Sequence, residues 1–168
     1  VEEDGRVAGF VAVLSDVTER RAAEEELRLR EERLRAIVET SPECIKLVAA
    51  DGTLLQMNPS GLCMVEAARP EEVVGRCVYD LVAPEHRQAF VDFNERICRG
   101  ERGSLEFDVV GLQGQRRQWE THAVPLGMPD GSTVQLGLTR DITARRQAED
   151  ALREADRRKD EFISILAH

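Results

Sequence analysis

A thirteen-residue motif occurs twice in this chain. Residues 16–28 read DVTERRAAEEELR and residues 141–153 read DITARRQAEDALR, with eight of thirteen positions identical at an offset of 125 residues. That offset exceeds the roughly 20–50-residue period of solenoid repeats and points to whole domains in series. Each copy follows a β-like run and leads into a charged helical stretch. The expected order is the end of one domain (1–18), a linker helix (19–40), a complete second domain (41–143) and an exit helix (144–168), a piece of a longer array.

Charge is concentrated where the motif lies. Residues 19–39 and residues 141–161 each hold thirteen charges in twenty-one positions, with arginines alternating among glutamates. That is the pattern of a solvated helix face. The net charge of −9 argues against a nucleic-acid surface, which needs a basic stripe. No apolar run approaches the ~20 residues of a membrane span and no signal peptide is visible, while the parent could still have both; the chain is expected to be a cytoplasmic portion of a parent whose membrane status stays open. Cys44, Cys63, Cys77 and Cys98 lack CxxC spacing and read as scattered thiols of a reducing compartment, with no disulfide or metal site expected.

Between the two copies the pattern is that of a small mixed domain. VAGFVAVL (7–14) reads as a strand by length and β-branched content. From Thr18 the chain turns helical, with Glu24–Arg28, Glu26–Arg30 and Glu31–Arg35 spaced i,i+4. Ala23, Leu27, Leu34 and Ile37 keep heptad-compatible spacing interrupted by Arg30, a thin seam suited to a parallel two-helix contact. Ser41-Pro42 ends that helix. CIKLVA (44–49) and TLLQMN (53–58) form a hairpin about Asp51-Gly52, and Asn58-Pro59 starts a helix. Short helical pieces through Pro70–Val74 precede a longer helix over 84–98 with Phe90, Phe93 and Ile97 on one face. Strands follow at 105–110, 116–126 and 132–138, turning at Gln113-Gly114 and Asp130-Gly131.

Two strands, a helical insert and three more strands predict an α+β fold on an antiparallel sheet with helices on one face. The expected core is Ile45, Leu47, Leu54, Met57, Leu81, Phe90, Phe107, Trp119, Leu136 and Leu138. The exit helix carries Ala148, Leu152, Ala155, Lys159, Phe162 and Leu166 at alternating spacings of 4 and 3 residues, a coiled-coil-like seam.

The Asp51-Gly52 hairpin, Asn58-Pro59, Val74-Gly75, the Ala83-Pro84-Glu85-His86-Arg87 helix start and the closing Asp141-Ile142-Thr143 occur together in order over 32–143. In that order and spacing they resemble a PAS domain with its PAC-type C-terminal motif. The resemblance implies a five-stranded antiparallel sheet, and Asp16-Val17-Thr18 would then close a preceding PAS domain. The last residues, DEFISILAH, resemble the start of the dimerisation and phosphoacceptor helix of sensor histidine kinases. Phe162, Leu166, Ala167 and His168 fall where that family has its phenylalanine, leucine-alanine pair and phosphoacceptor histidine.

The resemblance implies His168 as the catalytic phosphoacceptor. A neutral imidazole nitrogen attacks the γ-phosphoryl group of ATP and holds it as a phosphoramidate. The chain has no Gly-rich ATP lid, no magnesium-binding asparagine and no Walker-type loop, so ATP and Mg belong to the parent kinase. The implied partners are a second copy, through the flanking helices at Leu27, Leu34, Leu152 and Phe162, and the receiver domain of a response regulator.

Cys77 lies one residue early for a flavin-adduct cysteine, and the long helix has Phe90 and no histidine where haem-binding relatives supply one. No cofactor is therefore expected in this chain, while a colourless small-molecule ligand under the helices stays open. His86 is expected to be solvated, and His122 to be a surface or edge group. Asp141 is expected to cap the exit helix or pair with Arg145 beside Thr143, fixing the strand-to-helix junction, with Asp16, Thr18 and Arg20 repeating the arrangement. Two functions remain: a sensory module relaying a signal to His168, or a ligand-free dimerisation and interaction spacer. Cyclic-dinucleotide synthesis shares the DITxR helix but would not end in FISILAH.

Overall fold

The computed structural model describes residues 4–167, and the chain divides into two compact units at Thr40 and Ser41. The first unit is one helix, α1 (Asp4–Thr40). The run 7–14, expected as a strand, forms its opening turns. A lone strand leaves its N–H and C=O groups unpaired, whereas a helix satisfies them within the segment. Ion pairs lace the exposed surface of α1. Glu26 and Arg30 meet at 3.4 Å as expected, while Arg28 turns to Glu25 and Glu32, each at 2.7 Å, and Glu24 takes Arg20. Such exposed pairs are screened by water and contribute little to stability.

The second unit runs β1 (Cys44–Val48), β2 (Leu54–Met57), α2 (Pro59–Met64), two 3₁₀ turns (Pro70–Glu72 and Val78–Leu81), α3 (Pro84–Cys98), β3 (Gly103–Val110), β4 (Arg116–Gly127), β5 (Thr133–Asp141) and α4 (Thr143–Leu166). The strands form one antiparallel sheet in the order β2-β1-β5-β4-β3. β1 and β5 therefore pair across almost the whole domain sequence. Among the described residues no helix is long and apolar enough to cross a membrane.

Local chemistry sets the joints. Gly52 turns the β1–β2 hairpin at φ +88°, and an added Cβ would come within 2.4 Å of the Tyr79 ring. Only glycine meets both demands at once. Asn58 caps α2, its Oδ1 accepting from Gly61 N–H at 3.0 Å and Ile45 N–H at 2.9 Å, with Pro59 opening the helix. Across the interior, Asn94 of α3 donates to the Ala49 carbonyl and to Tyr79 Oη, both at 2.9 Å. This fastens α3 over the hairpin.

α3 lays Phe90, Phe93 and Ile97 against the sheet. Phe90 stacks tilted on Phe107 at 4.7 Å between centroids, and Phe107 meets Trp119 edge-on at 6.2 Å. Leu54, Met57, Phe90, Phe107 and Trp119 are buried as expected, and Leu81 packs against them half-buried. The expectation fails in β1 and β5. Ile45, Leu47, Leu136 and Leu138 are only half-buried, on the outer face of the sheet. Their neighbours Cys44, Lys46, Val48, Gln135, Gly137 and Thr139 face the helices instead. Side chains alternate along a strand, so a one-residue change of phase exchanges the two faces completely. The helices and β3–β4 already supply large rings to the interior, and the central strands leave room for them with small or slender residues.

Candidate functional site

The phase of β1 places a lysine inside the protein. Lys46 is 1% exposed, and it opposes Gly137 across the β1–β5 ladder. Its Nζ donates to Thr139 Oγ1 at 3.0 Å, Thr139 donates to Thr121 Oγ1 at 2.8 Å, and Thr121 donates to the Leu138 carbonyl at 3.5 Å. Three aromatic rings surround the ammonium, with centroids 5.7 Å away for Phe90 and 5.6 Å for Phe107 and Trp119. Ring faces attract a cation, which recovers part of the hydration the lysine has lost. Burial still dominates and pushes the Lys46 amine below its ordinary value, with Cys44 opposing weakly.

Around this amine the polar groups are incompletely matched. Gln135 is fully buried, and neither its Oε1 nor its Nε2 has a hydrogen-bond partner among the described residues; the same holds for Trp119 Nε1. Buried polar atoms are nearly always paired, so three such atoms near one lysine mark the interior as chemically unusual. A Cβ added at Gly137 would lie 3.3 Å from Gln135 Nε2, 3.3 Å from Thr121 Oγ1 and 3.4 Å from Lys46 Cε. These groups thus converge on one point over Gly137.

A second polar constellation lies where β5 passes into α4. Asp141 Oδ1 accepts from Thr143 N–H at 2.9 Å and from the Thr143 hydroxyl at 2.6 Å. Its Oδ2 pairs with Arg117 at 3.1 Å. Thr143 Oγ1 in turn accepts from Gln118 N–H at 2.9 Å, and Ile142 N–H donates to the Gln118 carbonyl at 2.8 Å. Partial burial alone would raise the Asp141 carboxyl, but the Thr143 hydrogen bonds and the Arg117 guanidinium outweigh it and hold the group below its usual value. Arg146 pairs with Glu106 of β3 and, at 3.4 Å, with Glu149. The exit helix is therefore fastened to β3 and β4 at its first turn. Arg145 pairs with Glu106 at 3.8 Å and Glu149 at 3.9 Å, so the partner of Asp141 is Arg117 and not Arg145.

The first copy of the motif has a different setting. Residues 16–18 lie within α1, where the Thr18 hydroxyl donates back to the Leu14 carbonyl at 2.8 Å and Arg20 pairs with Glu24 at 3.0 Å. The Asp141–Thr143 geometry requires a strand ending beside another strand, and Asp16 has a helix on both sides. Leu27, Leu34, Leu152 and Phe162 are all more than half exposed on their helices. His168 lies outside the described residues.

The other histidines divide. His86, expected to be solvated, accepts Asp108 N–H at Nδ1 (2.8 Å) and so ties the start of α3 to β3. His122 stands exposed, 3.8 Å from Glu120. Among the described residues no group of three or more His, Cys, Asp or Glu side chains is arranged to hold a metal. The sequence reading missed Lys46, Thr121, Gln135 and Thr139. Lys46 shares its phase with Cys44 and Val48, and Thr139 with Gly137 and Gln135, but alternation alone does not tell which phase is buried.

A five-stranded antiparallel sheet in this order, with α2 and α3 across one face and an exit helix leaving the last strand, is the architecture of a PAS domain. Residues 38–147 match the family described as the PAS fold, and the chain belongs to that family. It is 25% identical over 150 residues to sporulation kinase A of Bacillus subtilis, an alignment spanning 86% of this chain and 24% of the kinase. It is 32% identical to the two-component sensor PprA of Pseudomonas aeruginosa over a 174-residue alignment, spanning 99% of this chain and 18% of that protein. Among solved structures, the PAS domain of an HTR-like protein from Haloarcula marismortui superposes with a TM-score of 0.60 at 25% identity, over 73% of this chain and 99% of that one. The chain spans a quarter or less of the length of the curated relatives it matches.

Proposed function

We propose that this chain is the sensory and signal-transducing module of a two-component sensor histidine kinase, relaying a change in the PAS core through α4 to His168. The observation that carries this reading is the exit junction. Gln118, Asp141 and Thr143 join β4, β5 and the start of α4 by hydrogen bonds, so a shift of the sheet moves the helix with it. Similarity to segments of sporulation kinase A and PprA supports the same setting. The repeated motif supports reading residues 1–18 as the close of a preceding PAS domain. The parent would use ATP and Mg to phosphorylate His168 and pass the phosphoryl group to a response-regulator receiver domain.

The same reading makes the module a parallel homodimer through its flanking helices. Leu27, Leu34, Leu152 and Phe162 are exposed apolar residues on long helices, which gain most of their stability from packing. Light scattering should show a dimer at about tens of micromolar, a concentration suited to weak self-association. A monomer there removes the seam from the proposal.

The seam Ala148, Leu152, Ala155, Lys159, Phe162 and Leu166 mixes small residues and a lysine with large apolar ones. That composition suits an element with two packings better than a static coiled coil. Output should therefore depend on heptad phase. Inserting one heptad (about 7 residues) between Leu152 and Lys159 of the parent kinase should largely keep regulation. Inserting about two or four, which breaks the repeat, should lock the kinase in one state. A smooth decline of regulation with insert length, with no recovery at a full heptad, would show that α4 is a simple tether.

A further inference from the structure

We propose that His86 is a proton switch beside the exit junction. Neutral, its imidazole accepts the Asp108 backbone N–H; charged, it exchanges that partner for the Asp108 carboxylate, which shifts β3 and with it the start of α4. Acidification is then a stimulus for the module, and its consequence for the kinase rests on the sensory reading above.

One residue offers Nδ1 both partners. Asp108 N lies 2.8 Å from Nδ1, and Asp108 Oδ1 lies 3.7 Å from it. Accepting an N–H needs a lone pair on Nδ1, so this arrangement belongs to the neutral ring with its proton on Nε2. Protonation sets an N–H against an N–H. The ring must then leave the backbone and turn to the carboxylate, to which it can donate. Histidine is the side chain whose ordinary charge change falls between about pH 5 and 8. With its side chain 39% exposed, His86 exchanges protons with solvent directly.

The surroundings admit either charge state. On α3, Glu85 adjoins His86, and Arg87 is turned away to the Tyr79 and Val82 carbonyls. β3 brings Glu106 and Asp108, β4 brings Arg116, and α4 brings Arg146 and Asp150. Among the described residues, four carboxylates and two guanidiniums thus surround the ring. Their excess negative charge favours an imidazolium, while its place in the first turn of α3, at the positive end of the helix dipole, disfavours one. Arg116 bridges Glu85 and Asp108 Oδ2, the latter at 2.6 Å, so drawing Asp108 toward His86 also loosens that clamp.

Asp108 connects the ring to the exit helix. Its carbonyl accepts Ala83 N–H at 2.9 Å, and α3 has no side-chain cap, so the two backbone groups of Asp108 fasten the start of that helix. Across the ladder Asp108 opposes Gln118, which donates to Thr143 Oγ1 and accepts from Ile142 N–H. A cavity of about 280 Å³ lies between these groups, lined by His86, Asp108, Gln118, Ile142, Arg146 and Asp150. It gives the ring room to turn, against the opening turns of α4.

The test follows the 168-residue chain by NMR from about pH 8 to about pH 5.5. As the His86 ring charges, the Asp108 amide should lose protection from hydrogen exchange relative to its intrinsic rate. The Ile142, Thr143 and Arg146 amides should shift with the same midpoint. This titration needs no variant. His86→Asn keeps an acceptor near the place of Nδ1 that takes no proton, and its junction amides should stay still. Asp108→Asn keeps the backbone N–H without the carboxylate, so His86 should still titrate while the junction response falls away. His122→Gln should behave as the wild type. In the parent kinase, the ratio of autophosphorylation between wild type and His86→Asn should change by about fivefold over this range, a comparison that cancels the titration of the acceptor histidine. Junction amides that ignore the His86 midpoint, an equal response in His86→Asn, or an Asp108 amide protected throughout would each overturn the switch. A switch seen by NMR with a pH-independent kinase ratio would overturn the relay and leave the switch standing.

Discussion

Replacing Lys46 with methionine should make the unliganded domain more stable. The lysine is fully buried, it forms no ion pair among the described residues, and Thr139 and three aromatic rings stand in for its lost hydration. Methionine has a similar length, packs well against rings and needs no hydrogen bonds. Exchanging buried ionic groups for apolar ones of similar volume is commonly stabilising, and a gain of about 1–3 kcal/mol is expected near neutral pH. The pH dependence follows from the depressed amine. Below its folded value the native state carries the whole penalty of the buried ammonium. Between that value and the ordinary 10.5 the unfolded chain binds the extra proton, so native stability rises with pH and the penalty vanishes above it. Chemical denaturation of both proteins should therefore show a gap that is wide near neutrality and narrows by about pH 10. A variant less stable than the wild type, or a gap insensitive to pH, would mean that the amine is well compensated where it lies.

On the proposed reading of this chain as part of a sensor kinase, His168→Gln in the parent should abolish autophosphorylation while leaving the fold and any dimerisation unchanged. Glutamine keeps polarity and helix compatibility, but its amide nitrogen has no lone pair available to attack phosphorus. The effect should be total loss, because no other described histidine is suited to the role. His86 spends Nδ1 on Asp108 N–H, and His122 sits on the outer face of the sheet. Incorporation of radiolabelled phosphate at the wild-type level in the variant would place the acceptor elsewhere.

Both predictions draw on the sequence, but to different depths. The strands from Cys44 to Asp141, the helix from Pro84 to Cys98 and the Asn58-Pro59 helix start were legible because each depends on local chemistry: alternation, proline and glycine punctuation, and a capping amide. The run 7–14 was misread because a short apolar β-branched stretch suits strand and helix alike, and backbone pairing decides between them. Asp141 was expected to cap the exit helix or pair with Arg145, yet its partner Arg117 lies 24 residues away on a neighbouring strand, where sequence spacing offers no guide.

The sequence alone determined the kind of protein: an α+β sensory-type domain between charged helices, written in a repeated motif whose order and spacing survive in one dimension. Tertiary structure alone decided which face of β1 and β5 looks inward. Both alternations in CIKLV contain apolar residues, and hydrophobicity by itself favours burying Ile45 and Leu47. The large rings of α3, β3 and β4 fill the helix-covered side first, and the central strands turn their slimmer set toward them. That choice sends Lys46, Thr121, Gln135 and Thr139 into the interior and leaves the leucines outside. Register is a property of paired strands, and a single strand carries no record of which of its faces the rest of the chain will cover.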